Sequence, residues 1–415
     1  MLTRVTRLAW ACALMALPVA GVLSSPAALA QGVGQQVRAA ELPELREIGV
    51  PAAWRVTRGR GVTIAVLDTG ADPSAPDLAG SVRAGPDYTQ GANPPGYRPP
   101  HLHGTYIASL VAGHGDGPGR SGGVIGVAPA ARVLSVRVIL DDQEPGFGVY
   151  NENAGYADAI SKGIRYAVSH GAGVINMSLG SAVPTRAMRL AIIDAISHGV
   201  VVVASAGNNG SAGRGFTPFS YPASFTGVIS VAAVGATGRR AGFSDRNASV
   251  VISAPGVNIL GAGPGGEYLT GSGTSPAAAF VAGIAALIRS KYPRLTPALV
   301  TQALVSSARH RPGGGYSPGT GFGEVDAAAA VSAAGRLAAE RAPAGLSATA
   351  HFGAGPAPGP INVVHRSRAK IVTLTVLTAA AAGGFLLALT RLLARLRRGR
   401  SGRGRERSAA PTVQA

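Results

Sequence analysis

The sequence predicts an α/β fold: one doubly wound domain, its mainly parallel sheet covered by helices on both faces, plus one C-terminal transmembrane helix. Three observations predict it. Short runs made almost wholly of Val, Ile, Leu and Ala alternate with segments of helical spacing from about residue 54 to about residue 334. Those short runs have no polar face, as strands buried on both sides require. A longer run, residues 371–390, carries no charge, and twenty residues at ~1.5 Å each span ~30 Å, the thickness of a bilayer core.

At the N-terminus, Arg4 and Arg7 lead into the mostly apolar residues 8–23, and Ala28-Leu29-Ala30 has the small-x-small form of a cleavage site. Residues 1–30 therefore read as a secretory signal peptide, with Gln31 starting the mature chain. The sole cysteine, Cys12, lies inside that segment, which leaves the mature chain without a disulfide or a thiol nucleophile. Residues 31–53 are a short extension and residues 54–336 the α/β domain. Strands are predicted over residues 62–67, 133–140, 174–179, 200–206, 228–234 and 250–253. Helices are predicted over 103–112, 156–169, 185–198, 275–290, 297–308 and 325–334. Asp141-Asp142-Gln143-Glu144 falls in a long insertion and reads as a solvated loop, as do Asp72 and Asp77 in a Pro-rich stretch. Residues 337–370 are a Pro/Gly/Ala-rich linker, too poor in apolar side chains to order itself. The transmembrane helix at 371–390 precedes a basic tail, 391–415.

A net charge of +18 would suit a nucleic-acid binder, but its distribution does not. Residues 366–407 hold eleven basic side chains and one acid, Glu406, contributing +10; the signal contributes +2, leaving +6 for the exported part. A basic segment beside an apolar helix addresses anionic lipid headgroups, and its excess on the C-terminal side places that end in the cytoplasm. The expected location is therefore the cell membrane, as a single-pass protein with its main domain outside. No nucleic acid is expected as a partner. Arginine far outnumbers lysine, with only Lys162, Lys291 and Lys370 present, which together with abundant Ala and Gly points to a GC-rich genome.

Four segments carry chemistry. An apolar strand ends on Asp68 in Leu67-Asp68-Thr69-Gly70. His103-Gly104-Thr105 opens a small-residue helix with an imidazole. Gly271-Ser272-Gly273-Thr274-Ser275 places a hydroxyl where another helix begins, among free backbone N–H groups and the positive end of the helix dipole. Such donors can hold a developing oxyanion. Pro276 suits the first helical turn, and it disfavours helical dihedrals at Ser275, which therefore reads as the N-cap. Asp, His and Ser in that chain order form one of the convergent orders of the hydrolytic triad. The fourth segment, Ala204-Ser205-Ala206-Gly207-Asn208, lies at a strand end, where open α/β sheets bind ligands.

These segments are similar to the motifs of the subtilisin-like (subtilase) serine proteases, and Ser178-Leu179-Gly180 resembles the family segment lining the substrate cleft. The resemblance implies a serine endopeptidase, a hydrolase acting on peptides or proteins. It makes Ser275 the nucleophile, His103 the general base and Asp68 the orienting carboxylate. It places the oxyanion between the Asn208 side chain and the Ser275 N–H, with Ser178, Leu179, Gly180, Ala204, Ser205, Ala206 and Gly207 lining the cleft. Pro276 departs from the pattern, since Met usually follows this Ser and a Pro comes four residues after it, where Ala279 stands here. His101 is the rival base and reads as a loop residue, while His114 follows a helix end and could face its carbonyls.

Only about thirty residues separate the cleavage site from the first catalytic strand, too few for a folded prodomain. A short extension with a C-terminal anchor resembles the mycosins, membrane-anchored subtilases associated with actinobacterial type VII secretion. That implies secretion machinery as a partner and the processing of exported proteins. The alternative is a structural or assembly subunit of a secretion complex in which catalysis is secondary. No cofactor and no metal are expected, since no carboxylate loop has Ca²⁺ spacing. The small residues at 178–180 and 204–207 predict an uncharged cleft floor.

Overall fold

The computed structural model describes residues 2–4, 26–210, 215–340 and 368–402. Most of the expected signal, most of the linker and the end of the tail lie outside the described residues. The strands are β1 Leu2–Arg4, β2 Thr63–Asp68, β3 Val82–Asp87, β4 His114–Asp116, β5 Gly122–Ile125 and β6 Arg132–Arg137. They continue with β7 Val174–Met177, β8 Val201–Ser205, β9 Ile229–Val234, β10 Ile252–Pro255, β11 Ile259–Ala262 and β12 Tyr268–Gly271. The helices are α1 Pro26–Glu47, α2 Val50–Ala53, α3 Leu102–Ala112, α4 Phe147–Glu152 and α5 Ala159–Ser169. After them come α6 Arg186–Ser197, α7 Thr274–Lys291, α8 Pro297–Ser306, α9 Ala327–Ala339 and α10 Arg368–Gly402. The chain divides into two units, Met1–Ala342 and Pro343–Ala415.

Seven strands form one sheet in the order β10-β9-β8-β7-β2-β6-β3, every neighbouring pair parallel. Along each strand the side chains alternate between two buried layers. Ile64 and Val66 of β2, with Val201 and Val203 of β8, join the layer of α3, α7, α8 and α9. Ala65 and Leu67, with Val202 and Ala204, join the layer of α5 and α6. A period of two with both phases apolar gives a doubly wound sheet, as the Val- and Ile-rich runs required.

Helix starts follow local chemistry. The Thr185 hydroxyl accepts from the Met188 N–H at 3.1 Å and Asp326 from the Ala329 N–H at 2.9 Å, which caps α6 and α9. Thr296 and Pro297 begin α8 in the same way. Helix α7 is the axis of its layer, buried from Pro276 through Ile288.

Three expectations change. Residues 31–53 are not separate from the domain, because Leu45, Ile48, Val50 and Ala53 lie inside the main core and Arg38 donates to the Gly122 and Gly123 carbonyls. Edge strand β3 has a half-exposed, polar pattern that the search for apolar runs passes over. The segment expected to be linker from residue 337 is still helical to Ala339, with Leu337 packed against the core.

The second unit contains α10. Its stretch Val372–Ala394 has a mean hydropathy of 2.0, and none of it is buried.

Candidate active site

Strands β8, β7 and β2 are sheet neighbours, so their C-terminal ends open onto one edge. Asp68 is the last residue of β2, Ser178 directly follows β7, and Asn208 lies just beyond β8. The Asp68 carboxylate is fully buried, and its Oδ1 accepts from His103 Nδ1 at 2.6 Å and from the Thr69 N–H at 2.8 Å. That bond puts the remaining proton-accepting atom, Nε2, on the other side of the ring. The His103 side chain is 22% exposed. Its burial opposes protonation, but the Asp68 carboxylate, with Asp141 further off, outweighs this and raises the imidazole pKa above 6.5.

Glycine brings α3 against the end of β2. Gly70 has φ +88°, and a Cβ on Gly104 would run into the Gly70 carbonyl. His101 is not a free loop residue. It is the left-handed residue before α3, φ +53°, and its Nδ1 donates to the Thr69 carbonyl at 2.8 Å. His114 does not face the end of α3 either; it is buried, with its ring nitrogens against the Gly115 and Ala79 carbonyls.

Ser275 sits inside the first turn of α7 rather than at its cap. The helix begins at Thr274, and its N-cap, Gly273, has no side chain with which to cap it. The preference against helix before a proline is overridden by the burial of α7. The Ser275 hydroxyl donates to the Ser178 carbonyl at 3.3 Å, and the Ser178 hydroxyl donates to the Ser275 carbonyl at 3.0 Å. Asn208 Oδ1 accepts from both the N–H and the hydroxyl of Thr274 at 2.9 Å. The amide nitrogen lies beside Gly273, where a Cβ would be 3.4 Å from Asn208 Nδ2. A backbone N–H at a helix start and a nearby amide donor are the groups that can stabilise negative charge on an oxyanion.

The Subtilase family model matches residues 59–323, which include all of these positions. The chain belongs to the subtilase family. Subtilisin E of Bacillus subtilis (strain 168) is 40% identical over 271 residues, 65% of this chain and 66% of that protein. The match thus spans about two thirds of the length of subtilisin E. Subtilisin of Bacillus pumilus is 39% identical over 271 residues, 65% of this chain and 92% of that one. The solved structure of the MycP3 protease from the type VII (ESX-3) secretion system is 32% identical, with a TM-score of 0.58 over 70% of this chain and 87% of that one.

Of the seven positions expected to line the cleft, Ser178, Leu179, Ala204, Ser205 and Ala206 are buried, Gly180 is exposed and Gly207 is half-buried. Leu179 and Ala204 point into the core beneath the sheet, and Ala206 packs on Ala232 and Val250. A Cβ on Gly180 would meet the Ser220 hydroxyl, and one on Gly207 would meet the Asp245 carboxylate. Asp245 is buried directly behind Gly207 and accepts from the Asn209 N–H at 2.8 Å.

Sequence reasoning missed Asp141, Glu144 and Asp77 by treating all three as solvated. All are buried, and Glu144 pairs with Arg137 at 2.7 Å. The available signal was Arg137 itself, a cation inside an apolar strand that needs a buried acid.

Proposed function

We propose that this subtilase is a membrane-anchored, extracytoplasmic serine endopeptidase that processes exported proteins. The observation that carries the chemistry is the 2.6 Å Asp68–His103 bond on the same sheet edge as the Ser275 helix start. In this reading the Ser275 hydroxyl turns from the Ser178 carbonyl to His103 Nε2 as substrate binds. Its oxygen bonds to the scissile carbonyl carbon while Nε2 takes its proton, and Asp68 stabilises the imidazolium. The oxyanion is held by the Ser275 N–H and Asn208 Nδ2. The imidazolium gives its proton to the departing amine, leaving a Ser275 ester. Water then repeats the sequence, its proton passing through His103 back to Ser275.

The apolar stretch Val372–Ala394, whose one charged residue is Arg391 near its end, supports the anchor. The likeness to MycP3, a protease of a type VII secretion system, supports a secretion role. Both are tested together. Cells carrying Ser275→Ala should accumulate unprocessed exported proteins, seen as altered N-termini in the secreted proteome. Deleting residues 366–415 should release an active soluble enzyme. An unchanged proteome would remove the processing role, and a truncated protein retained at the membrane would move the reading to an assembly subunit.

A further inference from the structure

The start of α3 is held by a carboxylate that lies 38 residues further along the chain. Asp141 Oδ2 accepts from the Leu102 N–H and Oδ1 from the His103 N–H, each at 3.1 Å. The next donor, the Gly104 N–H, goes to Thr69 Oγ1 at 3.0 Å. Helix starts are ordinarily capped by the residue just before them. Here that residue, His101, points its side chain to Thr69 instead. Asp141 is itself fixed. It is buried, its own N–H donates to Glu144 Oε1 at 2.9 Å, and Glu144 Oε2 accepts from Arg137 at 2.7 Å and Asn93 at 2.6 Å.

We propose that Asp141 is a positioning residue for the hydrolytic reaction, its carboxylate bridging the first two N–H groups of α3 and so fixing where His103 stands between Asp68 and Ser275. The inference rests on the protease reading above. Two physical effects make it specific. Both carboxylate oxygens bind adjacent N–H groups of one turn, which fixes the rotation as well as the height of the helix start, and with them the imidazole. Misplacement of a reacting group by about 1 Å costs on the order of 10²-fold in rate. The second effect is charge. A helix N-terminus disfavours a cation, yet His103 must become one during the reaction. Asp141 neutralises that end of the helix at the moment the proton arrives. The charged groups around the pair are Asp68 at the end of β2, Glu144 backed by Arg137 on the Asp141 side, and His101 with Asp72 on the other side of the α3 start.

Full-length protein in detergent, assayed with the peptide the parent cleaves best from a mixed library, tests this. Active sites are counted by labelling with a fluorophosphonate, so that unfolded molecules are excluded. Asp141→Asn is isosteric and keeps one acceptor for α3. It should lower kcat by about tenfold or more per labelled site, with KM changed less than twofold. Its acid limb of kcat/KM should move to lower pH, because the imidazolium loses a neighbouring charge. Asp141→Glu should recover part of the rate and the parental limb. A structural role alone would lower Tm and leave kcat per site and the pH limb where they are, and that result overturns the proposal. If Ser275→Ala retains activity in the same assay, the protease reading itself fails, a different outcome from an unaffected Asp141→Asn.

Discussion

The two helices that carry the reactive side chains begin in opposite ways. At α3 the N–H groups of Leu102, His103 and Gly104 are all taken, by Asp141 and by Thr69. At α7 the cap is Gly273, which has no side chain to offer, and the Thr274 N–H goes to Asn208 Oδ1. The same backbone feature, a row of donors with a positive dipole, is closed over three successive N–H groups at α3 and over Thr274 alone by a side chain at α7. In the proposed reaction the α3 start would hold a base still and help it accept a proton, while the α7 start would keep donors available for charge that exists only during the reaction.

The strongest test is whether both starts serve one reaction. Ser275→Ala and His103→Ala should each lower kcat by several orders of magnitude, and the double variant should be little worse than either. Clearly additive losses in peptide hydrolysis would show that the two helices do not act as a unit.

The next test closes the open start. Gly273 has φ 168°, extended backbone that any residue adopts, and its Cβ would sit 3.4 Å from Asn208 Nδ2 and 3.7 Å from the Ser275 nitrogen. A carboxylate introduced by Gly273→Asp would take the donors meant for the oxyanion. Asn208→Ala should lower kcat by roughly 10²–10³, the range known for such a donor in a subtilisin, and Gly273→Asp should lower it by a similar factor while the protein remains folded. A Gly273→Asp enzyme with parental kcat and unchanged circular dichroism would mean that the open start is not used.

The smallest effect lies away from both starts. Asp77 is buried; burial raises its pKa to about 6, Asp116 nearby adds to this, and the Val124 N–H, Arg38 and His114 oppose it. The native chain therefore binds this proton more tightly than the unfolded chain. Stability from this site falls as pH rises from about 4 to about 6, and the cost is complete above that. Asp77→Asn keeps an acceptor for the Val124 N–H. It should raise Tm by a few degrees at neutral pH and lose that gain near pH 4, measured by calorimetry across the range. A gain independent of pH would remove the charge explanation, and kcat should not change.

Much of this was legible in the chain. Runs such as residues 200–206 and 228–234 have no polar phase, and that alone requires a sheet covered on both faces. Asp68, His103, Asn208 and Ser275 each stand at the end of a strand or the start of a helix, where local patterns are strongest. Residues 31–53 were illegible because their apolar positions are sparse; only the docked structure shows Leu45 and Ile48 in the core. Asp141 was illegible for a different reason. An acidic cluster in a long insertion has the composition of a solvated loop, and nothing within 38 residues of sequence indicates that two of its oxygens meet the start of α3.

Sequence alone determined the alternation of strands and helices, the places of Asp68, His103, Asn208 and Ser275 at strand ends and helix starts, and the uncharged run at 371–390, because each depends on neighbours within a turn or a strand. Only the tertiary structure decided which helix start is closed and which is open. That choice depends on side chains such as Asp141, Thr69 and Asn208, which arrive from other strand ends, and hydrogen bonds made across the sheet edge leave no periodic trace along the chain.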